Sequence, residues 1–86
     1  MTAATDLVTV RLFAAAREAA GVAQLQLRPG PLDAVVADLL AGRSSRFAQV
    51  VAISSLVSDG VRLDPSESTP LPAGAVLDVL PPFAGG

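Results

Sequence analysis

The sequence predicts a single α+β domain in which one main helix covers one face of a sheet, and three observations carry that expectation. Segments near both ends alternate apolar and polar residues with a period of two, as strands with one buried face do. A central segment repeats its apolar residues at helical spacing. Glycine and proline punctuate the chain between them. At 86 residues there is room for one domain, since domains commonly run to about 100–150 residues. A domain of this size buries roughly 60–65% of the surface its unfolded chain exposes, enough to fold without metal or disulfide staples. Apolar residues make up 51% of the chain, but the only aromatics are Phe13, Phe47 and Phe83. The core is therefore expected to be built from small aliphatic side chains.

Leu7 to Phe13 reads as the first strand, with Val8, Val10 and Leu12 inward, Thr9 and Arg11 outward, and Phe13 falling on the outer face. Ala14 to Ala20 is rich in strong helix formers and stops at Gly21, which suits a left-handed closing residue. Ala23 to Arg28 alternates again with Leu25 and Leu27 inward, so it is expected to pair antiparallel with the first strand until Pro29-Gly30-Pro31 ends it. From Leu32 to Ala41, the residues Leu32, Val35, Val36, Leu39 and Leu40 mark one face of the main helix, which Gly42 stops. Ser44 or Ser45 caps a further turn or two carrying Phe47, Val50 and Val51. Ser54 to Ser58 and Val61 to Leu63 flank Asp59-Gly60, a dipeptide suited to a tight hairpin. Asp64 to Gly74 reads as a proline-marked loop anchored inward by Leu71, and Ala75 to Leu80 as the last strand, with Asp78, Val76 and Leu80 outward. Pro81-Pro82 ends its ladder, because neither residue has an amide proton to donate.

This order fits a β-grasp: a mixed sheet of four to five strands covered by one main helix plus one or two short helices. In that arrangement the first and last strands lie side by side at the sheet centre. Arg11 and Asp78 then form a cross-strand pair on the open face, which Phe13 and Leu80 share. The domain is expected to span residues 1–80, with 81–86 as a C-terminal tail.

Composition excludes several function classes. There is no Cys, His, Tyr or Trp, and every basic residue is an arginine. The usual thiol and imidazole metal ligands are missing, and so are the commonest nucleophile and general base. Arginine cannot substitute, because it stays protonated. The chain is therefore expected to bind no metal or cofactor and to catalyse nothing alone. A net charge of -2 with scattered arginines argues against a nucleic-acid partner. No run of about 18 apolar residues exists to span a membrane, and Met1 to Asp6 lacks the features of a secretory signal, so a cytoplasmic location is expected.

The segments Val10-Arg11-Leu12-Phe13-Ala14-Ala15-Ala16-Arg17-Glu18 and Leu80-Pro81-Pro82-Phe83-Ala84-Gly85-Gly86 together resemble the small subunit of molybdopterin synthase, a MoaD-like member of the ubiquitin-like MoaD/ThiS sulfur carriers. The resemblance implies a β-grasp domain without catalysis of its own. An E1-like adenylating enzyme would activate the Gly86 carboxylate with ATP and Mg²⁺, and a sulfur donor protein would convert it to a thiocarboxylate. Sulfur would then pass to cyclic pyranopterin monophosphate within the large catalytic subunit, in a heterotetramer of two small and two large subunits. A carrier for thiazole or cysteine biosynthesis, a protein modifier joined through Gly86 to lysines, and a plain interaction domain share the same fold.

Read this way, Gly86 is the reactive carrier and Gly85 its neighbour. Phe13, Arg17, Val61, Leu80, Pro81, Pro82, Phe83 and Ala84 are candidate partner-binding residues. The glycines permit close backbone approach in a partner's channel. A bare Gly-Gly end is commonly no more than a frayed terminus, and the preceding pattern is what argues for function. Phe13, Leu80 and Val61 would be ordinary surface residues singly but an interaction patch if they share one face. Arg17 matches a family arginine that pairs with partner carboxylates, against the plainer alternative of a solvated helix charge. The hairpin asparagine usual in the family is replaced here by Ser58-Asp59-Gly60. With no cysteine, sulfur cannot ride as a side-chain persulfide, which leaves the C-terminus to carry it.

Overall fold

Alternation at both ends of the chain builds the centre of the sheet. The computed structural model describes residues 6–82. In it β1 (Val8–Leu12) and β7 (Val76–Leu80) lie parallel and adjacent. β2 (Gln24–Leu27) pairs antiparallel with β1, and β4 (Ser55–Ser58) pairs antiparallel with β7 and with β5 (Val61–Leu63). The five-stranded order is β2-β1-β7-β4-β5. Val8, Val10, Leu12, Leu77 and Val79 all point inward and are fully enclosed. They form the floor of the core.

Three helices roof that floor. In α2 (Leu32–Leu40) the predicted stripe is in place, with Leu32, Val35 and Leu39 buried and Val36 and Leu40 packed against the core. α3 (Ser45–Ala52) buries Phe47 and Val51, and the Ser44 Oγ accepts a hydrogen bond from the Phe47 N–H at 3.1 Å. That cap satisfies one of the amides left open at a helix start. α1 (Ala14–Ala20) buries Ala16 and closes at Gly21, whose φ of 79° lets its amide reach the Arg17 carbonyl at 2.9 Å. Phe47 is the largest fully buried side chain, and the rest of the core is aliphatic, as the composition requires.

The structure departs from the sequence reading at two points. Pro29-Gly30-Pro31 does more than end β2. Gly30–Pro31 forms β3 against β6 (Pro70–Leu71), with Leu32 N–H donating to the Thr69 carbonyl at 2.8 Å. Pro31 and Pro70 face each other there, and since neither can donate, the pairing stays two residues long. Second, α2 ends at Leu40, with Ala41 rather than Gly42 as its cap. The helices are those expected, α2 the longest at nine residues and α1 and α3 shorter at seven and eight. The β4–β5 turn is as expected: Asp59 and Gly60 both have positive φ, 52° and 76°. No described helix is long and apolar enough to cross a membrane.

Candidate functional site

The sheet's second face is the surface the helices leave open, and register determines which residues occupy it. Its middle row runs Gln24, Arg11, Asp78, Val57, Arg62 across all five strands. On one side of that row Thr9 stands beside Val76 and Gln26, and the Thr9 hydroxyl donates to Gln26 Oε1 at 3.2 Å. On the other side Leu80 stands beside Ser55. Val57, Val76 and Leu80 are each half-buried. They make an apolar margin around a charged centre.

That centre is the predicted ion pair. Arg11 Nε donates to Asp78 Oδ1 at 2.6 Å and its Nη2 donates to Oδ2 at 2.8 Å. The two parallel bonds match the planar guanidinium to the carboxylate. Hydrogen bonding to Asp78 first, and its charge second, raise the Arg11 pKa above its ordinary value. Phe13 follows on the same side. It caps α1 with extended backbone, and its ring centroid lies 5.7 Å from the Arg11 guanidinium carbon. Ala14, which turns strand into helix, has a φ of 50°, a left-handed conformation that costs a residue with a Cβ about 1–2 kcal/mol.

The sequence-predicted residues are only partly brought together. Phe13 and Leu80 share the open face. Val61 does not, because it alternates with Arg62 and has the parity of the buried Leu56 and the partly buried Leu63. It is 60% exposed at the hairpin end and lines a groove of about 450 Å³ with Leu63, Thr69, Leu71 and Ala75. Val57 takes its place on the open face. Sequence reasoning missed Val57 and Arg62, although counting back from Asp59-Gly60 with Leu56 inward would have placed both. Arg17 is exposed on α1 and makes no ion pair among the described residues. Pro82 is exposed and Pro81 is buried. Phe83, Ala84, Gly85 and Gly86 lie outside the described residues. Among the described residues no group of three or more His, Cys, Asp or Glu is placed to hold a metal ion.

No family model matches the sequence, and no curated protein matches it significantly. Solved structures do match. SAMP1 from Haloferax volcanii superposes with a TM-score of 0.78 at 18% identity, covering 93% of this chain and 99% of that one. The fold is the ubiquitin-like β-grasp. A putative molybdopterin converting factor subunit 1 from Pyrococcus furiosus gives 0.73 at 22% identity, over 90% of this chain and 98% of its own. A chain from the complex of subunits 1 and 2 of molybdopterin-converting factor from Helicobacter pylori gives 0.66 at 21%, over 93% and 99%. Identities this low establish architecture; function has to be argued from the site.

Proposed function

We propose that this chain is a MoaD-like sulfur carrier that serves molybdopterin synthesis through its terminal Gly85-Gly86. The observation that supports this best is the placement of β7. The strand at the middle of the sheet, beside β1, ends at Leu80 next to the open face, and the residues that follow it lead to Gly-Gly. A partner that docks on the open face therefore meets the root of the tail. With Pro81 buried, the arm is the five residues Pro82 to Gly86, which extended reach about 17 Å. That length suffices to carry a carboxylate into a partner's enclosed site while the domain remains outside.

A carboxylate resists nucleophilic attack because its charge is delocalised. In the proposed cycle a Gly86 oxygen attacks the α-phosphate of ATP, bound with Mg²⁺ by an E1-like enzyme, and pyrophosphate leaves. Hydrosulfide supplied by a donor protein then attacks the acyl carbon and AMP leaves, giving a thiocarboxylate. The chain's own residues bind and present: Phe13, Val57 and Leu80 offer apolar contact, Arg17 on α1 a cation, and Phe83 and Ala84 the stem of the tail. A larger catalytic subunit would take the sulfur. The Helicobacter pylori structure, whose two subunits form a complex, supports such a pairing.

The test is ATP–pyrophosphate exchange by a candidate adenylating enzyme. Full-length chain is expected to support exchange, and a chain lacking Gly86 to support none. Equal exchange by both would overturn the proposal. Adding candidate acceptor enzymes to the charged carrier then separates molybdopterin synthesis from the thiazole, cysteine and protein-modifying alternatives.

A further inference from the structure

We propose that Asp78 is a positioning residue for partner docking: it locks Arg11 beneath the Phe13 ring, so that the aromatic is presented already ordered. The inference rests on the reading of the open face as a docking surface. Its own ground is a relay of three side chains. Asp78, on the central strand β7, is the more enclosed end of the ion pair, with its side chain 20% exposed against 50% for Arg11. It holds both Nε and Nη2 of Arg11. A bidentate grip fixes the plane of the guanidinium as well as its position.

Phe13 needs such a support because the sheet does not hold it. It lies one residue beyond β1, and its carbonyl is held by the Ala16 and Arg17 amides at 3.0 and 3.4 Å. Those bonds fix the backbone and place no constraint of their own on χ1. The guanidinium at 5.7 Å lies within cation–π range. Holding the ring there lowers the side-chain entropy lost when a partner covers it. Asp78 also neutralises Arg11, so the middle of the docking face offers the partner hydrogen-bonding groups without a bare charge. The partner this fits has an apolar recess for Phe13 and Leu80 and no isolated carboxylate opposite Arg11.

The experiment is a double-mutant cycle on binding to the adenylating enzyme, with Asp78→Asn measured in chains carrying Phe13 and in chains carrying Phe13→Ala. Asp78→Asn adds net positive charge in both backgrounds, so the cycle removes that general effect. Asp78→Asn is expected to weaken binding roughly two- to fivefold beyond its effect in the Phe13→Ala background, the fold-change equivalent of one cation–π contact. It is also expected to shift the Phe13 ring-proton resonances of the free chain, and to do so no longer once Arg11→Met is present. Equal effects of Asp78→Asn in the two backgrounds, or unmoved Phe13 resonances, would overturn the positioning role. If Phe13→Ala itself leaves binding unchanged, the docking-surface reading fails instead, and the ring resonances still decide whether the relay exists.

Discussion

Leu56 and Val57 are neighbours in β4 that the sheet register sends to opposite faces, which makes them a direct test of how the open face is assigned. Leu56 pairs with Leu63 and Val79 and is 3% exposed. Val57 pairs with Asp78 and Arg62 and is half-buried. Leu56→Ala removes core volume that the surrounding strands cannot refill, at a cost of about 2–5 kcal/mol. A chain of this length has a total stability of roughly 4–13 kcal/mol, so the loss is large. At about 4–8 °C per kcal/mol for a domain of this size, the midpoint of thermal unfolding should fall by about 8–40 °C. Val57→Ala leaves no enclosed cavity and should cost less than about 1 kcal/mol, a few degrees at most. Binding should show the reverse order: Val57→Ala weakens association with the adenylating enzyme, whereas Leu56→Ala, measured well below its own midpoint, does not. Thermal unfolding followed by circular dichroism and titration calorimetry with the partner report the two effects separately. A slip of one residue in the β4 register would exchange them. Finding Val57→Ala the more destabilising change would refute the assignment of the open face.

Ser44→Ala removes the side-chain cap of α3 and should cost about 1 kcal/mol, or about 4–8 °C in the thermal midpoint. Gly60→Ala meets no atom within 4 Å but must adopt a φ of 76°, so thermal unfolding should show a loss of about 1–2 kcal/mol that is purely backbone in origin. Asp64 is held below the usual carboxylate range, first by the Ser66 backbone N–H and then by its hydroxyl. A depressed carboxylate stabilises the fold above its unfolded pKa, and that contribution disappears as pH falls through the folded value. Carbon-detected titration should therefore find Asp64 below the usual carboxylate range, and Ser66→Ala should raise it only part of the way, since the backbone donor survives. Deleting residues 83–86 is expected to leave intact the core of the described residues, whose buried members run from Val8 to Val79. The midpoint should stay within a few degrees while carrier function is lost.

Much of the fold was legible because its signals are local. Alternation in Val8–Leu12 and Val76–Leu80, the helical stripe of Leu32–Leu40, and Asp59-Gly60 each determine a shape by short-range sterics and by one buried face. From those came the Arg11–Asp78 pair, whose register depends only on the central parallel strands. Two features were not legible in the same way. The β3–β6 pairing joins residues some forty positions apart through segments whose prolines argue against strand, and only tertiary packing brings them together. Val61 was grouped with Phe13 and Leu80 because all three are apolar and outside the core, but exposure does not specify a face. Parity does, and it selects Val57.

The proposed cycle turns the terminal carboxylate of Gly86 into a thiocarboxylate. The full chain, incubated with its adenylating enzyme, ATP, Mg²⁺ and a sulfur donor, should show one oxygen replaced by sulfur in its intact mass, with the replacement mapping to the C-terminal peptide and absent when ATP is withheld. An unchanged mass under conditions in which the enzyme demonstrably adenylates the chain, or sulfur found anywhere but on Gly86, would contradict it.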